Sequence, residues 1–133
     1  MNVIKFLAIF AIAITISACG EPNDFEWFPD YQDTNPPVIS ATISSRSLFN
    51  NQTTHVSTLP ATVTFQANES ATIYYTTNGS TPTTSSASVE CPAFSSVSGP
   101  EITFTNTILQ FFGKDKAPIP NTSAIITSTI KSP

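Results

Sequence analysis

The chain has 133 residues, of which 40% are hydrophobic and 11% charged, and its formal net charge is −4. That length holds one ordinary domain plus a tail. The acidic balance argues against nucleic acid, which needs basic patches to neutralise phosphate, and a single His with two Cys offers too few ligands for zinc.

The chain opens with Lys5 and an apolar run from Val3 to Ala18, then turns polar at Gly20-Glu21-Pro22-Asn23-Asp24. A transmembrane helix needs about 20 apolar residues. This run is shorter and has the length of a secretory h-region, with small Ser17 and Ala18 before the cut. Ile16-Ser17-Ala18-Cys19 resembles a bacterial lipobox. The resemblance implies a signal helix over residues 1–18, cleavage before Cys19, and lipidation of its thiol and new amino terminus. The residues also fit an ordinary signal peptide cut near Ala18, or an uncleaved anchor. Each buried methylene contributes about 0.8 kcal/mol, and one chain alone binds marginally. The two or three chains that the resemblance implies would hold the protein at a membrane. Gly20 rather than Asp after Cys19 leans toward the outer membrane of a bacterial envelope.

Residues 19–37 are expected to form the lipidated cysteine and a tether. Five of the nine acids lie between Glu21 and Asp33, and Asn35-Pro36-Pro37 ends the segment. Among these acids stand Phe25, Trp27, Phe28 and Tyr31. Either the aromatics tuck against the domain or stay disordered, or Trp27, Phe28 and Tyr31 dock a partner, since aromatics dominate interface hot spots.

From residue 38 to 133 the pattern is strand and turn. Val38–Ile43 is a first strand. Residues 44–60 are loop, with a short strand near Thr54–Thr58. Alternation is clear at Ala61, Val63, Phe65 and Ala67, and again at Ala71, Ile73 and Tyr75. Thr76–Pro82 is a turn cluster built on Asn78-Gly79. Residues 85–100 read as loop. Ile102 and Phe104 alternate, Ile108–Phe112 is a near-continuous apolar run, and Ala124, Ile126 and Ile130 line the last strand. About six or seven short strands over roughly 95 residues are the spacing of a β-sandwich, so the expected class is all-β. With Cys19 lipidated, Cys91 has no intramolecular partner. It reads as a buried small hydrophobe, with a reactive or intermolecular thiol as the alternative.

Glu69-Ser-Ala-Thr-Ile-Tyr-Tyr-Thr-Thr-Asn-Gly-Ser-Thr-Pro-Thr-Thr84 closely resembles the signature of the chitobiase/β-hexosaminidase C-terminal domain family. Leu109–Asp115 looks like the family's second element, and Pro60–Phe65 like the strand before the signature; the likeness covers residues 36–131. It implies an immunoglobulin-like sandwich. Asn78 stands where the family usually has Asp, residues 87–98 look like an insertion, and Lys116–Asn121 replaces the usual Ala-Gly-Asn. Tyr74 is expected on the outer face and Tyr75 in the core.

No catalytic, metal or cofactor site is assigned. His55 lies in a polar stretch without triad spacing. Glycosidase chemistry needs two opposed carboxylates in a cleft, and the catalytic domain that gives the family its name is elsewhere in that enzyme. The expected function is therefore a lipid-anchored, non-catalytic module that binds an envelope protein or serves as a structural element. The alternative is glycan binding, with Tyr74 or Phe112 exposed for sugar stacking. An enzymatic reading would require a cleft gathering His55 with Glu69 or Asp115.

Overall fold

The computed structural model describes residues 33–133. Cys19, Trp27, Phe28, Tyr31 and the signal and tether segments up to residue 32 lie outside the described residues. Nine strands follow one another: β1 Ile39–Ile43, β2 Arg46–Ser47, β3 Gln52–His55, β4 Ala61–Ala67, β5 Ala71–Thr76, β6 Ala87–Cys91, β7 Ser96–Ile102, β8 Thr107–Asp115 and β9 Ile126–Lys131. The described residues contain no helix. The strands form a four-stranded sheet in the order β2-β1-β4-β7 and a five-stranded sheet in the order β3-β9-β8-β5-β6. Every pairing is antiparallel except β3 with β9. This is an all-β, immunoglobulin-like β-sandwich.

Side-chain alternation builds the core. On β1, Ile39, Ala41 and Ile43 face inward; on β4, Val63, Phe65 and Ala67 do, while Thr62 and Gln66 face solvent. The opposing sheet supplies Ala71 and Ile73 from β5, Leu109 and Phe111 from β8, and Ile130 from β9. Phe65 sits at the centre, its ring centroid 5.1 Å from Phe111 and 5.9 Å from Tyr75. Tyr75 thus joins the core as its pattern predicts. Cys91 is buried against the same cluster, and burial pushes its thiol pKa up.

Several expectations change. Residues 85–100 are not loop: they supply β6 and β7, the outermost strands of the two sheets. Their low hydrophobicity follows from that position. Only alternate residues such as Val89, Cys91 and Val97 meet the core, and an edge strand needs no apolar outer face. Pro100 lies in β7 where pairing with β4 shifts register between Thr62 and Thr64. A β-bulge on an edge strand is where proline fits. The early strand is Gln52–His55 rather than Thr54–Thr58, so His55 belongs to an edge strand, exposed. Val38 precedes β1 and is exposed, as is Phe104 beyond the end of β7. On the last strand Ala124 is exposed and outside β9, and Ser128 takes the inward place. Its hydroxyl donates to the Gln52 carbonyl at 3.2 Å, which is how a polar side chain fits there. Pro37 is fully buried. A Cβ on Gly113 would meet Ile39 Cδ1 at 2.5 Å, with Pro37 Cγ at 3.4 Å, so the start of the domain lies directly on β8.

Candidate functional site

The turn of the signature segment spends its polar side chains Thr76, Asn78 and Ser80 on the fold. After β5 the chain turns at Asn78-Gly79. Asn78 Oδ1 accepts from both the backbone N–H and the hydroxyl of Ser80, at 3.0 and 2.7 Å. This is the local side-chain turn that Asn favours, so its chemistry survives without the family's usual Asp. Gly79 adopts φ of 79° and donates its N–H to the Ile108 carbonyl at 3.1 Å. Gln110 Nε2 donates back to the Gly79 carbonyl at 3.0 Å. The Thr76 hydroxyl donates to the Ser80 carbonyl. The turn is therefore latched to β8.

At the other end of β8 three carboxylates, Asp33, Glu69 and Asp115, bring oxygens within 4.8 Å of one another. Asp115 is only 4% exposed. Its Oδ1 accepts from the N–H groups of Ala117 and Asn121 at 3.2 and 3.0 Å, and its Oδ2 accepts from Asn121 Nδ2 at 2.9 Å. Asn121 Nδ2 also donates to the Asp33 carbonyl at 2.8 Å. Burial pushes the Asp115 pKa up, but the Asn121 and Ala117 hydrogen bonds, with Lys114 nearby, outweigh it and hold the pKa below the usual value. Glu69 is raised, first by desolvation and then by the neighbouring charges of Asp33 and Asp115 and a hydrogen bond with Asp33. Among the described residues these three are the set that could offer oxygen ligands together. Asp115's hydrogen bonds already explain its burial: it staples the loop Lys116–Asn121, which replaces the family's usual residues. Sequence reasoning missed Asp33, placed there with the tether, and Asn121.

The residues singled out from sequence are not gathered. Tyr74 lies half-buried on the outer face of the five-stranded sheet, its ring stacked on Phe112 with centroids 5.2 Å apart and an interplanar angle of 21°. Phe112 itself is only 8% exposed, so the expectation that it offers a face for a sugar is overturned: Tyr74 covers that face. His55 pairs with Lys131 at the end of β9 that lies beyond Thr107, whereas Asp115 is at the far end of β8. The eight steps of β8 between them span about 26 Å at strand rise. Glu90 is held below its usual pKa first by hydrogen bonding to Lys116, then by the Thr72 hydroxyl at 2.9 Å. Both partners of that ion pair are exposed, so its stabilising effect is small.

Residues 52–127 match the family model described as Chitobiase/beta-hexosaminidase C-terminal domain. The chain belongs to this family. No curated protein and no solved structure matches it. The matched stretch runs from β3 into the start of β9, so it includes both the latched turn and the sheet-crossing pair β6 and β7. That pair brings in the surface that sequence reasoning overlooked. Between β6 and β7, Phe94 stands 87% exposed beside a shallow concavity of about 280 Å³ lined by Ser40, Gln66, Ala67 and Asn68. The available signal was a lone large aromatic in an otherwise polar stretch of the apparent insertion.

Proposed function

We propose that this protein is a lipid-anchored component of a bacterial cell envelope, held by Cys19 at the outer membrane, which displays a non-catalytic immunoglobulin-like domain as a binding module for an envelope partner. The family's printed name describes a C-terminal domain of chitobiase and beta-hexosaminidase. One observation carries the binding role. The signature's turn side chains Thr76, Asn78 and Ser80 are committed to internal hydrogen bonds, while Phe49, Phe94 and Phe104 stand exposed outside the regular strands. Connecting segments on a rigid scaffold are where binding residues concentrate, and aromatics dominate hot spots.

The anchor is tested by expressing the chain and its Cys19→Ser variant in a bacterium. Mass spectrometry of the mature amino terminus should show a diacylated or triacylated Cys19, and the variant should leave the membrane fraction. An unmodified cysteine would remove the anchor from this reading. For the partner, crosslinking from membranes with and without residues 22–34 separates the tether from the domain; unchanged partners would place binding on the domain.

A second reading, glycan recognition, is favoured by the Phe94 concavity, where an exposed ring adjoins uncharged amide and hydroxyl side chains.

A further inference from the structure

Phe94 is unfavourable where it stands in two independent ways. It occupies the third position of the turn Pro92–Ser95, closed by the Ser95 N–H on the Pro92 carbonyl at 3.2 Å, and its φ is 54°. A positive φ at that position is where turns favour glycine or asparagine; a bulky side chain there is uncommon and strained. The ring then gains nothing from burial, being 87% exposed. Strain of this kind persists where surrounding structure enforces it, and it clusters at ligand sites. The enforcement is visible: the Phe94 N–H donates to the Ala67 carbonyl at 2.9 Å, and the Cys91 thiol lies 3.4 Å from the Ser95 carbonyl.

The surface beside the ring is ordered in register. Ser40, Gln66 and Ser96 are consecutive partners across β1, β4 and β7, so they share the outer face of the four-stranded sheet. Gln66 Nε2 donates to Ser96 Oγ at 2.7 Å, which leaves the Gln66 carbonyl as an acceptor. Asn68 uses its Oδ1 to accept from the Val38 N–H at 2.7 Å, which leaves its amide NH₂ as a donor. A free amide acceptor on Gln66 and a free amide donor on Asn68 thus belong to residues that line the same concavity as Phe94. None of the five residues lining the concavity is charged.

From this geometry we infer that the Phe94 surface is a binding site for a neutral saccharide. One pyranose ring lays its C–H face on Phe94, and its hydroxyls donate to the Gln66 carbonyl and accept from the Asn68 amide. The match is one of charge and group type: an uncharged polyhydroxy ligand satisfies both amides and leaves no ion unpaired. The shallow concavity is smaller than the roughly 300–1,000 Å³ of a site that encloses a drug-sized ligand, and it suits a ring of a longer glycan lying on the surface. The inference rests on the glycan reading above.

The test is a titration of the full chain in detergent with two probes, an N-acetylglucosamine tetrasaccharide and a glucose tetrasaccharide, followed by amide chemical shifts and calorimetry. Shifts confined to residues 66–68 and 92–96, with Ser40, are the expected result. Phe94→Gly removes the ring and relieves the backbone, so it should keep or raise the Tm while weakening binding about tenfold, the scale of one aromatic stacking contact. The shift map on the unmodified chain decides the site even if that variant fails to fold. Saccharide binding that maps elsewhere, or that Phe94→Gly leaves unchanged, overturns this site and keeps the glycan reading. No binding of either probe at millimolar concentration overturns both and leaves the protein-partner reading standing.

Discussion

The turn after β5 and the turn after β6 each hold a residue at positive φ, Gly79 at 79° and Phe94 at 54°. In the first, glycine meets the demand without a side chain, its N–H and carbonyl both bond to β8, and Asn78 closes the turn on Ser80. In the second, a phenylalanine meets it with an exposed ring. The first turn is optimised for folding. The second keeps a residue that folding alone would replace. Turns that serve only the scaffold converge on the residue types that local physics favours, so the departure at Phe94 marks the surface on which another requirement acts.

The strain at Phe94 would not be enforced if the whole sheet-crossing segment were loosely held. It is not expected to be, because Gly99 on β7 faces the buried ring of Phe65, and a Cβ there would collide with Phe65 Cε2 and Cδ2. Gly99→Ala is expected to destabilise by up to about 3 kcal/mol, the scale of overpacking a filled core. Chemical denaturation checks it; a neutral result would mean that the β7 edge is soft and that the strain at Phe94 is not enforced.

The Asp115 staple, like the first turn, serves the scaffold. Asp115→Ala would strip the acceptor from two backbone N–H groups and the Asn121 amide, and should cost about 2 kcal/mol, the scale of several partly buried donors losing their acceptor. Its pH signature has a defined sign. The Asp115 pKa is depressed in the folded state, so its contribution is present above the unfolded value and is lost as pH falls through the folded one. Glu69, whose pKa is raised, acts oppositely: its contribution is present below the ordinary carboxylate value and is lost as pH rises through the raised one. Melting temperature against pH should therefore show an acid-side loss that Asp115→Ala removes, with a Glu69 slope above it that the variant reduces, because the Asp115 charge helps raise the Glu69 pKa.

Much of the sandwich was legible because its central strands obey period two. Ala61–Ala67 and Ala71–Tyr75 carry their inward and outward faces in plain alternation, and the Asn78-Gly79 turn announces itself chemically. The edge strands were hidden for a physical reason. Ala87–Cys91 and Ser96–Ile102 meet the core with few side chains each, so their composition is that of a loop. Without those strands, Phe94 had no place in the fold. The row Ser40, Gln66 and Ser96 was equally invisible, since it depends on registers between strands distant in sequence. Phe112 failed in the opposite direction: an outward position in a strand predicts exposure, but its cross-strand partner Tyr74 covers it.

Gly79→Ala probes the first turn directly. A Cβ there would sit 3.4 Å from Ile108, ordinary contact, so the penalty would be conformational rather than steric. A left-handed conformation costs an L-residue about 1–2 kcal/mol, and the melting temperature should fall accordingly. If Gly79→Ala proves neutral, positive φ carries no cost in this scaffold, and the contrast with Phe94 loses its force.

The smallest expected effect has the opposite sign. Phe94→Gly removes an unfavourable left-handed side chain, but it also adds chain entropy to the unfolded state. The relief of about 1–2 kcal/mol for left-handed backbone exceeds glycine's entropy cost of about 0.5–1 kcal/mol. The variant should therefore gain stability by about 1 kcal/mol or less, since the exposed ring contributes little packing to lose. A gain would mean that Phe94 is retained against the interest of the fold, as a ligand contact is. A loss comparable to Gly79→Ala would mean that the ring packs on the domain in solution, and Phe94 would then be one more structural residue like those of the first turn.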